Sequence, residues 1–175
     1  MSDRPLTRVV AATAMGYAGV AFTGRGIRHA TLFHATEDAA HAELMAFGAP
    51  IVEEGARAAE VVELLRAYAA GEPADIEAYP VDLPACGDLQ RRVWLALRDI
   101  PRGETRSYGW LARHVGEPPS SARAVGAAVG ANPIPIWLPC HRVVAHDGSL
   151  HGFGGGLAMK QALLELEGAL PVRLL

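Results

Sequence analysis

The chain has 175 residues, half of them hydrophobic and a fifth charged, with a net charge of −3. That length suits one ordinary domain or two small ones, and the composition excludes wholesale disorder. Two cysteines, Cys86 and Cys140, do not make a disulfide framework, and no apolar run reaches the roughly 18–20 residues of a membrane span.

From the N-terminus, residues 8–14, 17–23 and 27–34 are short runs rich in Val, Ala, Thr and Phe. They are separated by Gly16 and by Thr23-Gly24-Arg25-Gly26. The pattern predicts a small antiparallel sheet. Arg4 and Arg8 precede VVAATAMGYAGVAF, which raises a signal peptide as an alternative. Thr13, Gly16, Tyr17 and Gly19 interrupt that stretch, so it is read as a hairpin in a cytoplasmic protein. Ala58 to Ala70 carries Val61, Val62, Leu64, Leu65 and Tyr68, an amphipathic helix ended by Gly71 and Pro73. Residues 71–87 read as a linker between an N-terminal domain, 1–80, and a C-terminal domain, 86–175.

From Asp88 the texture becomes helical. LQRRVWLALRDI places Leu89, Val93, Trp94 and Leu97 on one face and is stopped by Pro101 and Gly103. Ser107 caps a short helix, YGWLARHV, and Pro118-Pro119-Ser120 opens another, SARAVGAAVGA, closed by Asn132-Pro133. Two short helices with a tight connection predict a helix-turn-helix. The second is built of Ala, Gly and Val, with Arg123 its one charge, so another surface can approach its backbone closely. Ordinary small-residue packing is the plainer reading. IPIWLP predicts an extended segment running into Cys140, and Asp147-Gly148 predicts a hairpin between VVA and LHGF. Gly152 to Gly156 form a loop, and Met159 to Glu167 a last helix.

Charge divides the chain. Residues 1–85 hold 6 basic and 12 acidic side chains, a balance of −6; residues 86–175 hold 10 and 7, a balance of +3. Such asymmetry marks a nucleic-acid face on the second half or a solvated difference without a partner.

Pro139-Cys140-His141-Arg142 supplies a nucleophile with a base and a cation within reach along the chain. A thiol needs such neighbours to become a thiolate near neutral pH. Adjacent residues of an extended segment face opposite ways, so a bridging water is expected between Cys140 and His141. A carboxylate behind the imidazole would orient it, and Glu167 is the candidate. The plainer reading is a buried structural cysteine. A metal site of Cys140, His141, His146 and His151 lacks regular ligand spacing, and GFGGG lacks the GK[ST] ending of a phosphate loop.

The segment ARAVGAAVGANPIPIWLPCHRVVAHDGSLHGFGGGLAMKQALLELEG resembles the O6-alkylguanine-DNA alkyltransferases. The specific core is PCHRV, preceded by NPxPxxx and followed by a glycine-rich loop and LxxEG; RVWxALRxIPRGETRSYGxLA extends the likeness upstream. It covers residues 86–170, while residues 1–80 match only in layout. The resemblance implies an α+β protein: a small N-terminal antiparallel sheet with helix, laid out like ribonuclease H, then a mostly helical, winged-helix-like domain. It implies a suicide methyltransferase in which Cys140 accepts methyl or larger alkyl groups from O6-alkylguanine, with O4-alkylthymine as a second candidate substrate, and with no cofactor or metal. His141 and Glu167 correspond to the activating relay through water, and Asn132 to the residue bracing the turn before the cysteine. Arg123 corresponds to the finger that fills the stack after base flipping. Tyr108 corresponds to the residue that helps expel the nucleotide and bonds the guanine N3 side. Backbone groups at Cys140 and Val143 would read the exocyclic amine. Ala122, Ala124, Gly126 and the loop Phe153, Gly154, Gly155 complete the surface for base and DNA. The implied partner is duplex DNA, bound by a monomer through the minor groove.

The chain departs from the family pattern in places. Phe153-Gly154 stand where relatives often carry tyrosine followed by serine or alanine, which leaves a backbone N–H of the loop to bond O6. Trp137 is bulky for its position, and Leu89 replaces a common phenylalanine. The zinc ligands some relatives carry cannot be assembled from two cysteines. The rival functions are a non-catalytic lesion-binding module, whose relatives carry tryptophan in place of the acceptor cysteine, and a transcriptional regulator using the same helix-turn-helix.

Overall fold

The computed structural model describes residues 6–171, so Arg4 lies outside the described residues. The chain forms two compact units. One runs to Pro84 and takes in Pro133–Trp137; the other comprises Ala85–Asn132 and the chain from Leu138 onward.

In the first unit, β1 (Thr7–Thr13), β2 (Gly16–Phe22) and β3 (Ile27–Ala30) form an antiparallel meander. The β1–β2 turn holds because Gly16 adopts φ 115°, and a Cβ there would lie 2.5 Å from the His34 carbonyl oxygen. The sheet is mixed rather than purely antiparallel. A two-residue strand, β4 (Ile51–Val52), pairs parallel to β1 and gives the order β3-β2-β1-β4. The helix before it, α1 (Glu37–Ala46), was not expected from the sequence. Its buried residues are only Ala40 and Leu44, too sparse an apolar stripe to show helical spacing, although Thr36 caps it by accepting from Ala39 N. Leu44 packs with Ala21 and Ala49 beside Val10. α2 (Ala56–Ala69) buries Val61, Leu65 and Tyr68 and lays Arg57 over the Phe22 ring at 4.5 Å. The segment 133–137 belongs here: Ala30 N donates to Pro133 O at 3.0 Å, and the fully buried Trp137 meets the Tyr79 ring edge-on at 5.5 Å. This segment is a run of turns, not the extended stretch expected. Ile136 is left-handed at φ 73°, a strained position for a β-branched residue.

The second unit is helical. α3 (Asp88–Ala96) is amphipathic as its spacing predicts, with Val93 and Trp94 buried and a 3-10 turn, Leu97–Asp99, finishing it. Trp94 Nε1 donates to Ala128 O at 2.8 Å, which joins α3 to α5 (Ala122–Gly130). Between them lie β5 (Arg106–Ser107) and α4 (Tyr108–His114), whose N-cap Ser107 accepts from Trp110 N at 3.1 Å. α4 and α5 form the expected helix pair, with a 3-10 turn at Pro119–Ser121 leading into α5. β6 (Val143–Val144) pairs parallel to β5, and α6 (Gly156–Leu166) closes the unit. The expected hairpin after β6 reduces to its turn. Gly148 N donates to Ala145 O and Ala145 N to Ser149 O, but residues 150–153 form no strand. β6 pairs only with β5 among the described residues, and the Val143 carbonyl accepts from Lys160. Among the described residues, no helix is long and apolar enough to cross a membrane.

Candidate active site

The cysteine segment is set by a proline and an amide. Pro133 cannot continue α5, and Asn132 Nδ2 donates to Leu138 O at 2.7 Å, closing the base of the loop through 133–137. Pro139 then leads into a 3-10 turn, Cys140–Arg142, where an extended strand was expected. Cys140 N donates back to Leu138 O at 2.7 Å, and the turn puts successive side chains about 120° apart rather than on opposite faces.

That tightening brings His141 and Arg142 to the same carboxylate. His141 Nε2 lies 2.9 Å from Glu167 Oε1, while Arg142 donates from Nε to Oε2 and from Nη2 to Oε1, each at 2.8 Å. Arg142 Nη1 donates to Ile100 O at 2.7 Å. The three side chains are almost wholly buried, at 0–1% exposure. Burial works to raise the Glu167 carboxyl. The bonds from Arg142 and His141 outweigh it and hold the group well below the usual carboxylate range. An ionised Glu167 can only accept, so Nε2 of His141 carries hydrogen.

Cys140 is 6% exposed. Burial pushes its thiol up, and the side chain of Asn132 and the ammonium of Lys160 offset this only in part. The expectation of an ionised sulfur is therefore corrected. Arg142, the nearby cation in sequence, is committed to Glu167, and the resting sulfur is a thiol.

Lys160 was missed by sequence reasoning. It is 1% exposed, and its Nζ donates to Val143 O at 2.6 Å and His151 O at 3.3 Å. Burial lowers its pKa, and a charge on Cys140 would work to raise it. A signal existed: this sole lysine of the chain sits three and four positions before Leu163 and Leu164, on the buried stripe of α6.

A cleft of about 570 Å³ opens in the same unit. Of the residues expected to meet a base, Tyr108, Ala122, Arg123, Gly126, Phe153 and Gly154 line it, and His151 and Gly130 line it without having been anticipated. Ala124, Val143 and Gly155 are not among the lining residues. Ala124 and Gly155 are exposed, and Val143 is buried with its carbonyl bonded to Lys160. Gly126 matters for space: a Cβ there would stand 3.7 Å from the Tyr108 ring, so Tyr108 lies directly over this turn of α5. The Tyr108 phenol is raised by burial first, and a charge on Cys140 would raise it further. Arg123 is exposed at the second position of α5. Trp137 does not line the cleft; its ring meets Tyr79 instead.

Cys140 is buried and next in the chain to the imidazole–carboxylate pair, and it is not among the residues lining the cleft, which holds a phenol and a guanidinium. A thiol, a base and a cation in one unit are the groups that nucleophilic chemistry needs.

The family model described as "6-O-methylguanine DNA methyltransferase, DNA binding domain" matches residues 88–169. The chain is 54% identical over 110 residues to the methylated-DNA–protein-cysteine methyltransferase of Mycobacterium leprae, a stretch that is 62% of this chain and 64% of that relative. The match thus spans less than two thirds of the relative's length. Among solved structures, the chain is similar to the Mycobacterium tuberculosis O6-methylguanine methyltransferase, with TM-score 0.74 and 38% identity over 94% of this chain and 93% of that one. It is also similar to a Mycobacterium tuberculosis OGT crystallised in complex with DNA, with TM-score 0.70 and 36% identity over 93% of each chain.

Proposed function

The chain belongs to the 6-O-methylguanine DNA methyltransferase family, and on that premise we propose that it repairs DNA by moving an alkyl group from guanine O6 to its own Cys140. The observation that carries this reading is the buried His141–Glu167 pair, 2.9 Å apart, next in the chain to a thiol that burial keeps protonated. A protonated sulfur needs a proton acceptor at the moment of reaction, and Nδ1 of His141 is the ring atom that supplies one, through a water. Glu167 supports the imidazolium that forms.

The transfer is an in-line displacement. The sulfur forms a bond to the alkyl carbon, and the carbon–O6 bond breaks with its electron pair staying on guanine. Guanine takes up a proton, helped by the Tyr108 phenol at the N3 side. The thioether has no easy return path, so each molecule acts once and no cofactor is consumed. A base within a duplex hides its O6, so the nucleotide is turned out into the cleft. Arg123, exposed at the head of α5, fills the gap, and the small residues of α5 let that helix lie in the minor groove. On this reading residues 86–175 carry DNA binding and chemistry, residues 1–80 support them, and the protein works as a cytoplasmic monomer.

Incubation with duplex DNA containing O6-methylguanine is expected to add one methyl mass to the peptide holding Cys140, and none to a Cys140→Ala protein, as read by intact and peptide mass spectrometry. An unmodified wild-type peptide after full exposure, with lesion binding retained, would instead mark a non-catalytic lesion-binding protein.

A further inference from the structure

Duplex DNA presents a line of phosphates, and Arg123, which fills the stack, does not account for their partners. Most guanidinium groups of the second unit are already engaged. Arg92 binds Asp88 and Glu117, each at 2.8 Å. Arg106 binds Glu104 at 2.5 Å and lies 5.5 Å from the centroid of the Trp110 ring. Arg142 is committed to Glu167. Among the described residues of this unit, the guanidinium groups of Arg91, Arg113 and Arg123 have no hydrogen-bond or carboxylate partner.

Arg113 differs from Arg91 in where its charge lies. It belongs to the last turn of α4, and helical side chains lean toward the N-terminus. A Cβ placed on Gly109, one turn earlier, would stand 4.0 Å from Arg113 Nη1. The guanidinium is therefore laid back over the turn that begins with Tyr108, a residue of the cleft. It gains nothing there from the carbonyl end of α4, where a helix favours a cation. The neighbouring His114 takes the local carboxylate instead, with Nε2 2.7 Å from Asp99 Oδ2. Arg113 is thus an exposed charge to which its own surroundings give no counter-charge. Gly109 carries no side chain, so a group as broad as a phosphate can come down to the α4 backbone beside it. The planar fork of N–H donors matches two phosphate oxygens. Arg113 is not among the residues lining the cleft, so its anion lies outside the space proposed for the turned-out base.

Resting on the proposed binding of duplex DNA, we infer that Arg113 holds a backbone phosphate near the rim where the nucleotide is turned out. A phosphate carries no base identity, so the contact adds affinity and register without preference for the lesion. It makes and breaks no covalent bond. Binding displaces a condensed counterion from the duplex, and that release makes the contact visible in the dependence of affinity on salt.

The test uses the full chain and anisotropy titrations of plain and O6-methylguanine duplexes over about 50–200 mM salt. Wild type is compared with Arg113→Gln, Arg113→Lys and Arg91→Gln. Both arginines are exposed and unpartnered, so no change removes a packed or bonded group. Arg113→Gln is expected to weaken binding to both duplexes by about tenfold at the low-salt end and to reduce the log–log slope by about one, the value of a single phosphate contact. Arg113→Lys should keep the slope, because it keeps the charge, and lose part of the affinity with the fork. Arg91→Gln removes the same charge from α3 and should move the slope by less than about half as much. An unchanged slope in Arg113→Gln, an equal loss of slope in Arg113→Lys, or the same drop in Arg91→Gln overturns the inference, the last by making the effect one of net charge. Methyl transfer to Cys140 stands in each of those cases. Wild type that binds neither duplex overturns the DNA-binding reading and this inference with it.

Discussion

Glu167 is the residue on which the most physics converges. It sits at the C-terminal cap of α6, fully buried, and bonds both His141 and Arg142. Its two oxygens offer lone pairs enough for the three N–H donors, so the pair geometry is satisfied rather than crowded. Replacing it by glutamine leaves the Arg142 charge buried without a counter-charge, which costs about 3–5 kcal/mol near pH 7. The pH dependence has a definite sign. Glu167 is held below its ordinary value of 4.5, so its stabilisation is complete above that pH and is lost as pH falls further. Urea unfolding of wild type and Glu167→Gln is therefore expected to differ most at neutral pH and to converge as the solution is acidified below about pH 4. Parallel curves across that range would show that the carboxylate's charge is not what stabilises the fold. The identity of Glu167 as partner of His141 was legible in the sequence through the LxxEG likeness. The involvement of Arg142 was not, because a cation next to a cysteine in sequence suggests service to the thiol, and only the 3-10 turn sends it elsewhere.

The helix pair α4–α5 shows what an element contributes beyond its residues. Ser107 caps α4, which starts Tyr108 at the first helical position, and Gly126 of α5 gives that ring a place to lie. Arg123, one turn earlier on α5, shares the cleft with it. The two helices thus present a phenol and a guanidinium to one space, as the proposed extrusion of a nucleotide requires. Arg123→Ala is expected to slow repair in duplex DNA by about tenfold or more, and to change reaction with free O6-benzylguanine by less than about twofold, since a free base needs no extrusion. Equal losses on the two substrates would remove Arg123 from extrusion. The helices themselves were readable from Ser107, the Pro118-Pro119 pair and Asn132-Pro133, all strong local punctuation. α1 was not, since alanines dominate it and its two buried residues leave no readable stripe. Asp147-Gly148 specifies the turn after β6, but a turn signal alone does not specify a strand on its far side, and residues 150–153 form none.

For the molecule as a whole, charge is the property that sequence reports most directly. The second half of the chain is basic by +3 while the first is acidic by −6, and the helix pair lies in the basic half. If that half is the DNA-binding one, affinity for undamaged duplex should fall with salt, because phosphate contacts release counterions. A fluorescence-anisotropy titration over 50–200 mM salt is expected to give a log–log slope of roughly −3 to −5, the value for a handful of such contacts. A flat response would remove phosphate neutralisation from the account of binding.

The amino-acid order alone determined which groups could carry the proposed chemistry: a cysteine, an imidazole next to it and a carboxylate 27 residues on, in a long and specific motif. It also determined where helices start and stop, because caps, prolines and glycines act within a few residues. Tertiary structure alone decided the state of the sulfur, the allegiance of Arg142, the burial of Lys160 and the placement of His151 at the cleft. Each of these depends on which groups meet after folding and how far water is excluded from them, and pKa shifts and hydrogen-bond partners are set by that environment, not by neighbours along the chain.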